Sequence, residues 1–304
     1  MDQFIGNFKL LLQYPVSNLN IILEGVLIGS IFVLAAYGLA LVWGVMNVKN
    51  LAQGDFVIFG GYVSWWLVTN YGLPPLLGVP VAAAVMSLIG WVVYKLVIRH
   101  VIERDLFISL LATFGVAIVM AQSMNLLFGS DTRTLHLDYA SLDFFDNMVN
   151  LPIAKAVGAV MAICLAGAVI LFMKRSRMGQ AIRATAQDVR AARVMGINTE
   201  KVYAFTFSLN AAICGAAGAI IVLVWEIQPF FGIAYAIRSF VIVTAAGLGN
   251  LPGVIAAGYG IGILEQYGAF VFGISYEQAV AVLLLLVVLI YRLAQQRRNR
   301  QVLQ

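Results

Sequence analysis

Charged residues are scarce in this chain of 304 residues, and their scarcity excludes an ordinary water-soluble domain. Asp, Glu, Lys and Arg together make up 11% of the sequence, whereas hydrophobic residues make up 62% and the mean hydropathy is +0.93. Soluble globular domains are about 45–50% apolar. The composition therefore predicts an integral membrane protein.

Cysteine and histidine are almost absent as well. The two cysteines, Cys164 and Cys214, lie in apolar runs, which predicts packing residues rather than a disulfide or a metal site. The two histidines, His100 and His136, fall in a basic and an acidic stretch that the charge pattern places on opposite sides of a membrane. The nucleotide-binding pattern GxxxxGKS/T does not occur. These absences disfavour an intramembrane enzyme and predict no catalytic residue, metal ligand or cofactor in this chain.

Long apolar runs are abundant. Runs such as 21–43 and 79–97 are long enough to cross a hydrocarbon core of about 30 Å as helices. The short alternating segments of a membrane barrel are not seen. We therefore expect an all-α, polytopic transmembrane bundle of about 8–10 hydrophobic segments with broken or short helices, forming a single domain over residues 1–304. The segments lie at about 20–44, 56–69, 77–99, 106–128, 153–173, 202–225, 231–247, 252–272 and 276–292.

The basic residues fall mainly in three clusters, which the positive-inside rule assigns to the cytoplasm. The net charge of +5 therefore indicates topology and not nucleic-acid binding. Residues 129–150 are acidic and predict an outer loop, joined at the outer face by the 70–76 turn and the 226–232 region. The sequence does not decide on which side of the membrane the N-terminus lies. The clusters are Lys95, Arg99 and Arg104; the stretch 174–201; and Arg292, Arg297, Arg298 and Arg300.

Two amide-bearing, glycine-containing breaks interrupt the apolar runs, at 44–56 and within 243–262. Backbone groups freed at membrane depth are tolerated only where protein or a water-filled cavity satisfies them. Paired breaks of this kind indicate a translocation pathway. The alternative is a pair of cytoplasmic turns. The residues expected to line a pathway are Asn50, Gln53, Gly54, Asp55, Gly249 and Asn250.

The basic stretch 177–202 predicts one amphipathic helix at about 180–195, too polar to span a membrane. Arg183 and Arg190, seven residues apart, would share one face of it. Such a helix either presents a surface to a partner or lies on anionic lipid without one. Elsewhere, Glu226 and Arg238 stand beside or within apolar runs and are functional candidates, unless they reach the interface or pair with each other.

Three segments carry a resemblance that extends in order over almost the whole chain: NLAQGDFVIFGGYVS, then SRMGQAIRATAQDVRAARVMGINTEKVYAFTFSLNAAICGAAGA, then GLGNLPGVIAAGYGIGILEQ. The chain resembles the inner-membrane permease of branched-chain amino acid ABC importers, specifically the smaller of the two paired permeases. The resemblance implies a multi-pass protein of the bacterial inner membrane. Its implied function is to move branched-chain amino acids from periplasm to cytoplasm by alternating access.

The resemblance also implies partners. They are two ATP-binding subunits that hold ATP and Mg, a second homologous permease, a periplasmic substrate-binding protein and the lipid bilayer, with no nucleic acid. The 177–202 loop, which resembles the cytoplasmic coupling helix of such importers, would dock on the ATPase. The residues implied in coupling are Arg183, Asp188, Arg190, Arg193 and Gly196.

One position departs from the family pattern. Many relatives carry Asn-Phe-Ala-His-Gly where this chain has Asn-Leu-Ala-Gln-Gly at 50–54, and Gln53 cannot gain a proton near neutral pH. No titratable role is therefore carried over to it. The solute stays open between branched-chain amino acids and urea, amides or aromatic acids. A secondary transporter without an ATPase, or a channel or scaffold subunit, is the alternative in mechanism.

Overall fold

The chain is described by a computed structural model over residues 11, 15–102, 104–135, 141–144, 149–247, 249–273 and 276–301. This part of the chain is an α-helical bundle with one small β-hairpin. The elements are α1 (Pro15–Met46), α2 (Gln53–Tyr71), α3 (Pro75–Val93, continued by a π-helical stretch Tyr94–Ile98 and a last turn Arg99–Val101), α4 (Leu106–Phe128), β1 (Ser141–Phe144), β2 (Val149–Pro152), α5 (Ile153–Arg175), α6 (Arg177–Gln187), α7 (Val189–Val194), α8 (Thr199–Ile221), α9 (Gly232–Ala246), α10 (Leu251–Phe272) and α11 (Glu277–Gln301).

Within the described residues, six helices are long and apolar enough to cross a membrane, and α9 and the apolar part of α11 are shorter apolar helices. With α2, each of the nine expected hydrophobic segments contains a helix. The expected polytopic helical bundle is therefore confirmed. The strands lie at the end of the expected 129–150 loop, and β2 extends past it to Pro152, which lies opposite Ser141 in the antiparallel pair.

The helix α1 forms the centre of the bundle. It packs against α5, α8, α9 and α10, and its side chains from Ile28 to Val42 are almost all buried. Glycines let the backbones of α1 and α10 touch, because a Cβ on Gly262 would overlap the carbonyl oxygen of Gly25 and the backbone of Gly29. Close backbone approach through small residues is the usual way in which membrane helices associate.

Basic residues of the first two clusters share one end of the bundle. Arg99 on α3 pairs with Glu200 at the start of α8 at 3.0 Å. Arg99, Glu200 and Arg193 line one cavity. We call this end of the bundle the basic end, and the positive-inside rule predicts that it faces the cytoplasm. At the opposite end, Lys155 at the start of α5 pairs with Glu24 of α1 at 2.9 Å. The helix α1 therefore begins on the side away from the basic end.

Two of the three regions expected at the outer face are in contact there. Arg133 and Ile227 exchange backbone hydrogen bonds of 2.9 and 2.8 Å, and the Gln228 side chain donates to the carbonyl of Ser130. These contacts tie the start of the 129–150 loop to the segment that joins α8 to α9. Residues 136–140 and 145–148 of the expected loop lie outside the described residues.

Candidate functional site

The first break returns the chain to the interior of the bundle. The helix α1 ends at Met46, and Asn47 adopts a positive φ of 54°. Gln53, the first residue of α2, donates from Nε2 to the carbonyl of Ala35 at 2.9 Å. Ala35 lies about 16 Å before Met46 along the axis of α1, at 1.5 Å per residue. The helix α2 therefore begins deep in the bundle and not at its basic end.

Protein groups satisfy the backbone around this break. Asn50 accepts a hydrogen bond from the amide of Ala52 at 3.2 Å, and Thr113 of α4 both accepts from the amide of Leu51 and donates to the carbonyl of Lys49. Buried backbone groups need such partners where no water reaches them. Asn50 is thus part of the structure that supports the start of α2.

Gln53 is buried in the same way. Its Nε2 also donates to the sulfur of Cys214 on α8 at 3.0 Å. Its Oε1 accepts a hydrogen bond from Nδ2 of Asn50 at 3.4 Å. Both side chains are almost wholly buried among protein groups. Gln53 therefore connects α2 to α1 and α8, and Asn50 supports the start of α2 locally. The role of both residues in a pathway stays a prediction.

A second helix begins at the same depth. A Cβ on Gly54 of α2 would overlap the carbonyl oxygen of Gly232, the first residue of α9. The N-termini of α2 and α9 are therefore in backbone contact inside the bundle. The helix start at about 231 was predicted from the sequence, where Pro229 and Gly232 follow the apolar run that forms α8, but its position inside the bundle was not.

Asp55 lies where these two helix starts meet. Its side chain is next to Gly232, and the residue is 6% exposed. It lines a cavity of about 450 Å³ between α4 and α9. Among the described residues that line this cavity, all the others are apolar and Asp55 alone is charged. The apolar lining includes Leu51, Phe114, Ile118, Phe230, Ile233, Ile237 and Phe240.

The second break lies at the basic end. Gly247 and Gly249 have positive φ angles of 93° and 77°, and the side chain of Asn250 caps α10 by accepting from the amide of Gly253 at 3.1 Å. Gly249 approaches Gly44, which lies about 13 Å further along α1 than Ala35. The structure therefore does not bring Gly249 and Asn250 together with the residues around Gln53.

Arg238 has a different partner from the one considered in the sequence. Its Nε donates to both carboxylate oxygens of Glu265 on α10, at 3.2 and 3.1 Å, whereas Glu226 is exposed. The idea that Glu226 pairs with Arg238 is wrong, because α10 presents a buried carboxylate directly to α9. The sequence analysis missed Glu265, which is 0% exposed. Its signal was a lone acidic residue within the apolar run of α10.

The basic stretch forms two helices, and the expectation of one helix at 180–195 is wrong. The chain leaves helical geometry at Asp188, with φ −153° and ψ 110°. The Asp188 carboxylate accepts from the amides of Arg190 and Ala191, at 2.7 and 3.0 Å. Aspartate favours this capping position over a helix interior, since its side chain bonds the free amides. Arg183 and Arg190 therefore belong to different helices and share no single face.

The helix α6 packs on the bundle while α7 extends from it. Ile182 is buried, and the guanidinium of Arg183 donates to the carbonyl of Met173 at the end of α5. Arg193 on α7 donates to the hydroxyl of Thr199 at 2.9 Å, which ties α7 to the start of α8. Gly196 then turns the chain with φ 83°.

The end of α7 carries an exposed apolar pair that the sequence analysis missed. Val194 is 85% exposed and Met195 is 80% exposed, beside the exposed Arg190. We call Val194 and Met195 the α7 tip. Apolar side chains next to a positive charge are typical of a surface that a partner covers. A run of only two residues gave no periodic signal in the sequence.

Comparison with known proteins identifies a family of transport permeases. Residues 21–290 match the family described as "Branched-chain amino acid transport system / permease component". The chain is 27% identical to the high-affinity branched-chain amino acid transport system permease protein BraD of Pseudomonas aeruginosa, over 89% of this chain and 92% of the relative. It is 27% identical to the corresponding protein LivH of Escherichia coli, over 88% and 91%. It is 30% identical to the probable branched-chain amino acid transport permease protein LivH of Methanocaldococcus jannaschii, over 89% and 90%.

Proposed function

The chain belongs to the permease components of branched-chain amino acid ABC transport systems, and from this we propose that it is the transmembrane subunit of an ATP-driven importer in the bacterial inner membrane. It moves branched-chain amino acids from the periplasm to the cytoplasm by alternating access. Its partners are two ATP-binding subunits, which bind ATP and Mg, a second homologous permease and a periplasmic substrate-binding protein.

The observation that carries this proposal is the contact between the starts of α2 and α9. Gly54 and Gly232 meet inside the bundle, next to the cavity that Asp55 lines. Discontinuous helices that begin near the middle of the membrane form substrate sites in many transporters. The cavity opens between α4 and α9, and most of α4 is not buried in this chain. A second permease facing α4 would enclose a path between the two chains.

The apolar lining supports hydrophobic solutes. A cavity of about 450 Å³ falls within the range of about 300–1,000 Å³ that small-molecule sites occupy. Branched aliphatic side chains lose contact with water in such a cavity, at about 25 cal/mol for each Å² of apolar surface. Urea and small amides have little apolar surface to bury there. The lining therefore favours branched-chain amino acids over these alternatives.

Coupling to the ATPases is assigned to α6 and α7. The α7 tip and Arg190 form the contact surface, Asp188 sets the angle between α6 and α7, and Arg183 and Arg193 fix the two helices to α5 and α8. Gly196 allows the turn that leads back into the membrane. Movement of an ATPase against the tip then passes into α5 and α8.

Uptake by the assembled system tests this function. The chain is reconstituted in proteoliposomes with the partner permease, the ATPases and the binding protein of its transport system, and radioactive leucine is added outside with ATP inside. We expect uptake that requires ATP and stops when the ATPase carries an inactivating substitution in its nucleotide site. Excess isoleucine and valine should compete, whereas urea, acetamide and benzoate should not. Uptake without ATP hydrolysis would indicate a secondary transporter or a channel instead.

A further inference from the structure

Asp55 is a buried acidic side chain to which the described residues offer no cationic partner. The residue is 94% buried, since 6% of it is exposed. Within the part of the chain that the structure describes, no Lys, Arg or His forms an ion pair with it. A buried carboxylate without a counter-charge costs several kcal/mol. A cation that arrives from outside the chain would therefore bind here favourably.

Two helix starts favour the ionised form of Asp55. The residue lies in the first turn of α2, and Gly232 at the start of α9 lies against its carboxylate oxygen. The free amides at a helix N-terminus stabilise a neighbouring negative charge by about 0.3–1 kcal/mol or more. These amides offset part of the cost of burying the negative charge of Asp55.

The expected ligand carries a cationic group next to an apolar surface. The cavity that Asp55 lines is otherwise apolar, with Phe114 and Ile118 from α4 facing Ile233 and Ile237 from α9. A primary ammonium group attached to a short branched hydrocarbon has the same arrangement of charge and apolar surface as this cavity, in opposite sign.

We infer that Asp55 binds the ammonium group of the transported amino acid while the apolar cavity between α4 and α9 holds its side chain. This inference rests on the proposed function and adds the substrate contact to it. It places recognition in the permease itself, in addition to any selection made by the binding protein. Gly232 is required as a spacer, because a Cβ at this position would overlap the Asp55 carboxylate.

Binding measured without the binding protein tests the inference. The permease complex is purified, placed in lipid nanodiscs and incubated with radioactive leucine. The competitors are 3-methylbutylamine, which keeps the ammonium group and the side chain, and 4-methylpentanoic acid, which is leucine without its ammonium group. In the wild-type complex the amine should compete at least about tenfold better than the acid, because only the amine can pair with Asp55.

Substitutions at Asp55 provide the second measurement. Asp55→Asn removes the charge at nearly constant shape and should weaken leucine binding at least about tenfold, and Asp55→Glu should retain most of it. Asp131→Asn is the matched control, since Asp131 is exposed in the outer loop and pairs with Arg133. Gly232→Ala should weaken binding in the same way as Asp55→Asn, because it displaces the carboxylate.

The outcomes separate the inference from the proposed function. Equal competition by the acid and the amine, or wild-type leucine binding by Asp55→Asn, would overturn the inference while ATP-dependent uptake still supported the function. Absence of ATP-dependent uptake by the wild-type system would overturn the function. If Asp55→Asn fails to fold, the ranking of the two competitors on the wild-type complex still decides the inference.

Discussion

The guanidinium of Arg238 on α9 donates from Nε to both carboxylate oxygens of Glu265 on α10, at 3.2 and 3.1 Å. The guanidinium also lies over the rings of Phe32 and Tyr235, at 5.1 and 5.6 Å from their centroids. Ionisable groups inside a membrane bundle are tolerated when they pair with each other. This pair therefore joins the short helix α9 to α10 and fixes the start of α9 beside the cavity.

Removing one charge of this pair should destabilise the bundle. Glu265→Gln leaves the Arg238 guanidinium buried without its counter-charge, which costs roughly 3–5 kcal/mol. We expect a clearly lower Tm for the purified chain in detergent. Glu24→Gln is the control, because its pair with Lys155 is partly exposed and is worth about 1 kcal/mol or less. Equal losses in the two variants would show that the buried pair has no special role.

A methyl group at Gly54 should disrupt the contact between α2 and α9. Gly54→Ala would overlap the carbonyl of Gly232, so the two helices must separate, at a cost of about 1–3 kcal/mol or more. Leucine uptake should fall sharply, since the cavity lies beside this contact. Gly115→Ala is the matched control on α4, where an added Cβ meets nothing within 4 Å. Normal uptake by Gly54→Ala would argue that this contact does not position the site.

Asn250 has a capping role that can be separated from a pathway role. Asn250→Leu removes the acceptor for the amide of Gly253 and should weaken the start of α10 by about 0.5–2 kcal/mol. Asn250→Asp and Asn250→Ser keep an acceptor and should retain uptake if capping is the function. Uptake kinetics and Tm are measured together for the three variants. Loss of uptake by all three at unchanged Tm would instead support the pathway role.

Apolar runs and glycine-containing breaks were sufficient to predict the bundle. Each of the nine segments contains a helix, and both breaks occur where the sequence shows amides next to glycine. These features are local, because the length of a run fixes a span and a glycine or amide fixes its end. The expected fold class therefore followed from the sequence.

The depth of the breaks could not be predicted in this way. The Gln53 side chain reaches the carbonyl of Ala35 and the sulfur of Cys214, which are 18 and 161 residues away in the chain. Which helix start lies inside the bundle depends on such distant contacts and not on the composition of the break. The pairing of Arg238 with Glu265 is distant in the same sense, since periodicity does not choose between two acidic partners.

The α7 tip should be required for assembly with the ATPases. Replacing both Val194 and Met195 by Asp places two charges on a surface that we expect to be desolvated in the complex. The ATP-binding subunits should no longer co-purify with the permease, whereas insertion and Tm stay unchanged because both side chains are exposed. Val194→Leu with Met195→Leu is the control and should retain assembly. If the ATP-binding subunits still co-purified with the Asp variant, the α7 tip would not be part of the contact surface.

Asp188 should set the angle between α6 and α7. Asp188→Ala removes the acceptor for the amides of Arg190 and Ala191, and because alanine favours a helix interior, 177–194 should become one continuous helix. Spin labels at Gln180 and Ala191 would then move to the separation of a straight helix, about 17 Å along the axis. Fewer leucine molecules should be taken up for each ATP hydrolysed, while the ATPases stay bound. Asp188→Asn keeps an acceptor and should preserve the wild-type distance and coupling; if the alanine variant does so as well, the bend is not what transmits the movement.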